Sequence, residues 1–149
     1  MSAPVDVESA CARLVLRSIR AFDEHDWRTY AQLFTEDGVF IRANEPREPL
    51  VGPAAIEAAL AARPTTRLTV HLCTNIEIDV LDREHAAGRC YLLLYSGDAS
   101  QPESGAGRRA EAVQRVGEYR DRFVRTAAGW RISRREGRLI FQSIGSSRD

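Results

Sequence analysis

From Thr66 the hydrophobic pattern runs with a period of two: Leu68, Val70, Leu72, Thr74, Ile76, Ile78 and Val80 alternate with Thr69, His71, Cys73, Asn75, Glu77 and Asp79. Alternation sustained this far predicts one long strand with two chemically different faces. A strand of that length needs partners. Further strand patterns cover residues 86–96, 112–125 and 130–142, the last two joined by a hairpin at Ala127-Ala128-Gly129. Residues 97–109, rich in Gly, Ser and Pro, are expected to form a long loop.

Upstream of this run the period is helical. Cys11, Val15, Ile19 and Phe22 make one apolar stripe, capped by Asp6 or Ser9 and ending near Glu24 or His25. Asp26 is placed to cap a second helix that turns Trp27, Tyr30, Ala31 and Phe34 inward. Thr35-Glu36-Asp37-Gly38 reads as a turn before the short strand Val39-Phe40-Ile41. Gly52-Pro53 opens a third helix, through Ile56 and Leu60, that stops before Pro64. Helices followed by consecutive antiparallel strands predict a single α+β domain over residues 1–149. Its helices pack into a strongly curved antiparallel sheet that leaves a pocket at the open end.

Several function classes drop out on composition. The chain balances 21 acidic against 21 basic residues, so no bulk field recruits nucleic acid or an anionic membrane. All the basic residues are arginine, and without lysine neither Schiff-base chemistry nor a phosphate-loop lysine is available. The arginines between Arg108 and Arg138 alternate with Glu111, Glu118, Asp121 and Glu136, which argues against a nucleic-acid surface. Cys11, Cys73 and Cys90 lack redox or metal-ligand spacing and read as buried thiols. With His25, His71 and His85 in separate segments, no metal site is expected, and no flavin, haem or nicotinamide motif is visible. No signal peptide or membrane-spanning run is visible either, so a cytoplasmic, soluble protein is the expectation.

The residues that could carry chemistry are few. Asp23 falls four residues after Ile19, on the greasy stripe and in the helix's last turn, where burial and the macrodipole both oppose its charge. That suits a carboxyl to proton transfer, although a residue there also commonly caps a turn or points to water. His71 shares its strand face with Cys73 and Asn75. That face is either a pocket wall, with His71 as general acid or base, or the solvent or dimer face; a β-bulge would reverse the facing partway along. On Gly117-Glu118-Tyr119-Arg120-Asp121-Arg122-Phe123 one side carries Tyr119 and Asp121, the other a charged ladder. Tyr119 could donate to a substrate oxygen; Asp121 could bind substrate or anchor an arginine such as Arg135. Tyr30 either points its hydroxyl into the cavity or is core. His25 and His85 lie in connections, and Asp37 is a turn residue.

Taken in order, Phe22-Asp23-x-x-Asp26-Trp27-x-x-Tyr30-x-x-Leu33-Phe34-x-x-Asp37-Gly38-Val39-Phe40, Gly52-Pro53-x-Ala55-Ile56, His71-x-x-x-Asn75, Gly117-x-Tyr119-x-Asp121 and Gly129-Trp130-Arg131-Ile132 span nearly the whole chain. In that order and spacing they resemble the SnoaL-like branch of the nuclear-transport-factor-2-like, cystatin-like superfamily. The resemblance implies a cone-shaped α+β fold with a pocket between helices and bent sheet, in a homodimer. Scytalone dehydratases give the nearest match, with Asp23 ahead of Asp26-Trp27 and His71 on the strand after the third helix. Their second catalytic histidine has no counterpart here. The expected activity is cofactor-independent lyase, isomerase or cyclase chemistry on a small, largely apolar carbonyl ligand. Asp23 and His71 would be catalytic, and Tyr119, Tyr30, Asn75 and Asp121 would bind substrate. The alternatives are a non-catalytic ligand-binding module and a role like that of a ring-hydroxylating dioxygenase small subunit.

Overall fold

The structure, a computed structural model, describes residues 6–143. Helix α1 (Val7–Asp23) starts at Asp6, whose carboxylate accepts from the Ser9 N–H at 3.2 Å. Helix α2 (Trp27–Gln32) starts at Asp26, which accepts from the Thr29 N–H at 3.1 Å. After β1 (Phe34–Ile41) and the short β2 (Leu50–Val51), Gly52 turns at φ 83° into α3 (Pro53–Ala61). The remaining strands are β3 (Arg67–Val80), β4 (His85–Asp98), β5 (Glu103–Ser104), β6 (Gly107–Arg108), β7 (Arg115–Thr126) and β8 (Gly129–Gln142). Among the described residues no helix is long and apolar enough to cross a membrane.

Six strands form one sheet in the order β2-β1-β8-β7-β4-β3, with β5 and β6 a separate two-strand hairpin. Three expectations are corrected here. The sheet is mixed, because β1 runs parallel to β8, pairing Phe34 with Ile132 and Phe40 with Arg135. Hydrophobic periodicity specifies a strand but not its neighbour, so the return of the last strand to the first was invisible in it. The expected turn at 35–38 is instead a register shift inside β1, and Phe34 already belongs to the sheet. Gly38 permits that kink, since a Cβ there would meet the Thr35 carbonyl oxygen at 2.9 Å. The expected loop at 97–109 holds the β5–β6 hairpin, too short to show any alternation.

The core lies between the helices and the concave face of the sheet. Cys11, Val15, Ile19 and Phe22 of α1, Tyr30 and Ala31 of α2, and Ile56 and Leu60 of α3 pack toward Cys90, Leu92, Tyr119, Phe123 and Ile132. Each large apolar side chain so buried contributes about 1.5–3 kcal/mol.

One ion pair sits inside this apolar layer. Arg135 Nε and Nη2 donate to the two Asp121 carboxylate oxygens at 2.8 and 2.6 Å, and Nη1 donates to Ser18 Oγ at 2.7 Å. The Ser18 hydroxyl in turn donates to the Val15 carbonyl at 2.6 Å, so the network closes on α1. The Arg135 guanidinium also lies 4.3 Å from the Tyr119 ring centroid. Burial pulls the Arg135 pKa down, but Asp121 and the two tyrosines Tyr30 and Tyr119 hold it well above the ordinary arginine value. Asp121 is therefore the anchor of Arg135 and does not face a ligand, which corrects its placement among the substrate-binding residues. Asp121→Ala would leave the guanidinium buried and uncompensated, and is expected to lower unfolding free energy by about 3–5 kcal/mol in urea titrations. A loss below ~1 kcal/mol would mean that the pair is not sealed from water.

Candidate functional site

The C-terminal end of α1 meets the inner face of β3 through one carboxylate. Asp23 Oδ2 accepts the His71 backbone N–H at 2.8 Å, and Oδ1 accepts the Thr69 hydroxyl at 3.0 Å. The same Oδ1 lies 2.6 Å from His71 Nδ1. Because Asp23 is already the acceptor in two of these contacts, Nδ1 is the nitrogen that carries the proton. The opposite ring nitrogen, Nε2, makes no hydrogen bond among the described residues, and in the neutral ring it is the one with the lone pair. Phe22 packs edge-on against the imidazole, with ring centroids 5.3 Å apart and planes at 90°, which fixes the ring further.

His71 faces inward because of how β3 is built. Thr69, His71 and Cys73 turn toward the helices, while Val70 and Leu72 are more than half exposed on the outer face. Past Thr74 the register with β4 shifts, Asn75 takes φ 53°, and Ile76 and Ile78 become the residues packed on the core. A single bulge thus reverses the strand's facing between its polar half and its aliphatic half.

His71 forms one wall of a cavity of about 460 Å³, within the usual range for small-molecule sites. Phe22, Phe40, Leu94, Leu139 and Tyr119 supply its apolar surface, and Arg42, Arg63, Arg67 and Arg115 its charged surface. Tyr119 reaches the cavity from β7. Burial, reinforced by Tyr30 and only partly offset by Arg135, pushes its phenol well above the ordinary value, so it stays an O–H donor. Among the described residues no three His, Cys, Asp or Glu side chains converge as a metal-binding group.

The structure joins Asp23 to His71 and puts His71 and Tyr119 on one cavity, which Asp23 itself does not line, and it leaves the other expected residues outside. Tyr30 is fully buried in the core, its hydroxyl without a hydrogen-bond partner among the described residues, and it does not line the cavity. Asn75 is exposed on the bulge and borders a separate, smaller depression with Glu77, Arg89 and Glu118. The four-residue step from His71 to Asn75 preserves facing only in an unbroken strand, and the bulge falls within it. Sequence reasoning missed Thr69, although its place two residues before His71 on one face was a usable signal. The cavity arginines come from three separated segments and left no local signal.

Asn75 tests the bulge directly. Asn tolerates a left-handed backbone and a β-branched residue does not. Asn75→Val is expected to cost about 1–2 kcal/mol of stability, whereas Asn75→Gly keeps it, and neither changes the affinity of a cavity ligand. An altered ligand affinity in Asn75→Gly would return this residue to the site.

The sequence signature of the SnoaL-like domain matches residues 4–136. A comparison with curated proteins finds no match. Among solved structures, a candidate scytalone dehydratase from Novosphingobium aromaticivorans is similar at 24% identity and a TM-score of 0.74, over 93% of this chain and 87% of that one. A type 2 hexachlorocyclohexane dehydrochlorinase (LinA) gives 14% identity and 0.74, over 91% and 86%. ActVI-ORFA from Streptomyces coelicolor gives 18% and 0.70, over 88% and 95%. At these identities the likeness is one of fold. With helices α1–α3 set against a curved six-strand sheet and the signature spanning residues 4–136, the chain belongs to the SnoaL-like domain family.

Proposed function

We propose that this protein is a cofactor-independent lyase, isomerase or cyclase that moves a proton at a carbon beside a carbonyl group. The observation that carries this reading is the 2.6 Å contact between Asp23 and His71 Nδ1, in a ring that lines the cavity and whose Nε2, in the neutral form, is available as a base. His71 Nε2 removes the proton from carbon. Asp23 holds the ring in the productive tautomer and offsets the charge of the imidazolium that forms. Tyr119, a neutral donor on the same cavity, is placed to hydrogen-bond the carbonyl oxygen as enolate charge develops there.

The electron pair left on carbon then has three fates. Return of the His71 proton at another carbon makes an isomerase, expulsion of a β-substituent a lyase, and attack on a second carbonyl of the same molecule a cyclase. Among the described residues His71 is the one histidine that lines the cavity, and in this reading the base that takes the proton also returns it. The dehydratase and dehydrochlorinase named among the structural neighbours are both named for eliminations, which supports proton abstraction as the first step.

Proton abstraction is read without knowing the natural substrate, by following hydrogen–deuterium exchange into a panel of bicyclic aryl ketones in heavy water. Wild-type protein is expected to catalyse exchange, and His71→Ala to slow it about 10²–10⁴-fold. Asp23→Asn is expected to lower kcat at least tenfold with little change in KM, because it misplaces the base without touching ligand. Exchange in His71→Ala equal to wild type would contradict the proposal. The exposed Val70 and Leu72 on the outer face of β3 support the homodimer that the family resemblance implies. Light scattering at twice the monomer mass is the expected result, and a monomer at high concentration the contrary one.

A further inference from the structure

The chain as a whole is neutral, yet its cavity is not. Arg42, Arg63, Arg67 and Arg115 line it and no aspartate or glutamate does, among the described residues. Bringing four guanidinium groups to one small cavity is unfavourable unless something offsets the repulsion. Arg67 has partial compensation, from Glu111 at 3.7 Å and the Ser96 hydroxyl at 3.3 Å. Arg115 donates through Nε to the neutral Gln142 at 3.2 Å, but its Nη1 is buried without a hydrogen-bond partner among the described residues. The Arg42 Nε is buried and unpartnered as well.

Among the described residues the Arg63 guanidinium is held by aromatic faces, 4.6 Å from the Phe22 centroid and 5.8 Å from that of Trp27. Phe22 is also the ring against which His71 packs, so Arg63 stands one aromatic ring away from the proposed base. Burial, and after it the nearby Arg67, depresses the Arg63 pKa, with a smaller push from Arg42. The arrangement is fixed in place. Gly137 lets the backbone of Ala43 approach, since a Cβ there would meet the Ala43 nitrogen at 2.9 Å. Arg47 then ties this segment down by donating to the Gly137 carbonyl at 2.9 Å and pairing with Glu136 at 3.0 Å. Arg42 is thereby seated at the cavity by its own chain rather than by an acidic neighbour.

We infer that the cavity takes a ligand with an anionic oxygen group, a carboxylate above all, whose charge is received by Arg42 and Arg115 while its apolar body lies against Phe40, Leu94 and Leu139. The inference rests on the reading of this cavity as the substrate site and narrows the substrate to an acid carrying a carbonyl compound's skeleton. Guanidinium groups that line a cavity with no carboxylate among its lining residues are charges without a counter-ion there, and a carboxylate accepts two N–H groups of one guanidinium at once in a planar fork. A neutral ketone would leave them desolvated and unpaired. The same arginines would fix the ligand's orientation, presenting its opposite end to His71.

The probe pair is 2-naphthoate and the neutral, near-isosteric 2-naphthamide, titrated by calorimetry into the full chain at neutral pH. Naphthoate is expected to bind at least about tenfold tighter than the amide, with an affinity that falls at high salt. The Arg42→Gln and Arg115→Gln single variants are each expected to lose part of that preference, and the double variant to bring the ratio near one while amide binding persists. Equal affinity of acid and amide for the wild type would overturn the inference, as would a preference that survives the double substitution or absence of binding by either probe. Deuterium exchange in the neutral aryl ketones reads the His71 chemistry separately. A failed naphthoate preference with intact exchange removes the anionic subsite alone, and lost exchange with an intact preference removes the proton-transfer reading alone.

Discussion

The Asp23 carboxylate is where helix, sheet and cavity are joined. A negative charge in the last turn of α1 opposes the helix macrodipole, a cost of about 0.3–1 kcal/mol. Three donors on β3 offset it, each charge-assisted hydrogen bond contributing about 1.5–3 kcal/mol. The balance favours an ordered junction by a wide margin. One consequence is geometric, because the His71 N–H and the His71 ring are gripped by the same residue, leaving the imidazole little freedom in position or tautomer. The other is chemical: the ring so held is part of the cavity wall.

Beneath that junction the Arg135–Asp121 pair does a different job. A buried ion pair adds little net stability over an apolar pair of the same shape, but it penalises every arrangement in which its partners are separated. By joining β7, β8 and Ser18 of α1, it sets the depth at which the helix rests in the sheet. Tyr119 is packed against the same guanidinium, so the donor proposed to meet the substrate oxygen takes its position from the core.

Much of this was legible in the chain. The alternation from Leu68 to Val80, the Asp6 and Asp26 caps and the Gly52-Pro53 start all correspond to elements of the fold, because each depends on neighbours within a few residues. Asp23 and His71 were legible as candidates from their places on an apolar stripe and a strand face. Their meeting across 48 positions was not. The facing of His71 depended on a bulge at Asn75, a backbone feature that alternation cannot display and that removed Asn75 itself from the site. Parallel pairing of β1 with β8 and the convergence of Arg42, Arg63, Arg67 and Arg115 are products of tertiary closure, to which local patterns are blind.

The state of the His71 ring tests the centre of this picture most directly. Long-range proton–nitrogen NMR on labelled protein, at a pH where the imidazole is neutral, distinguishes its two tautomers. A single tautomer with the proton on Nδ1 is expected, with an Nε2 resonance that moves when a cavity ligand is added and with tautomers mixed in Asp23→Asn. A proton resident on Nε2, or ring nitrogens indifferent both to ligand and to the loss of the Asp23 charge, would contradict it.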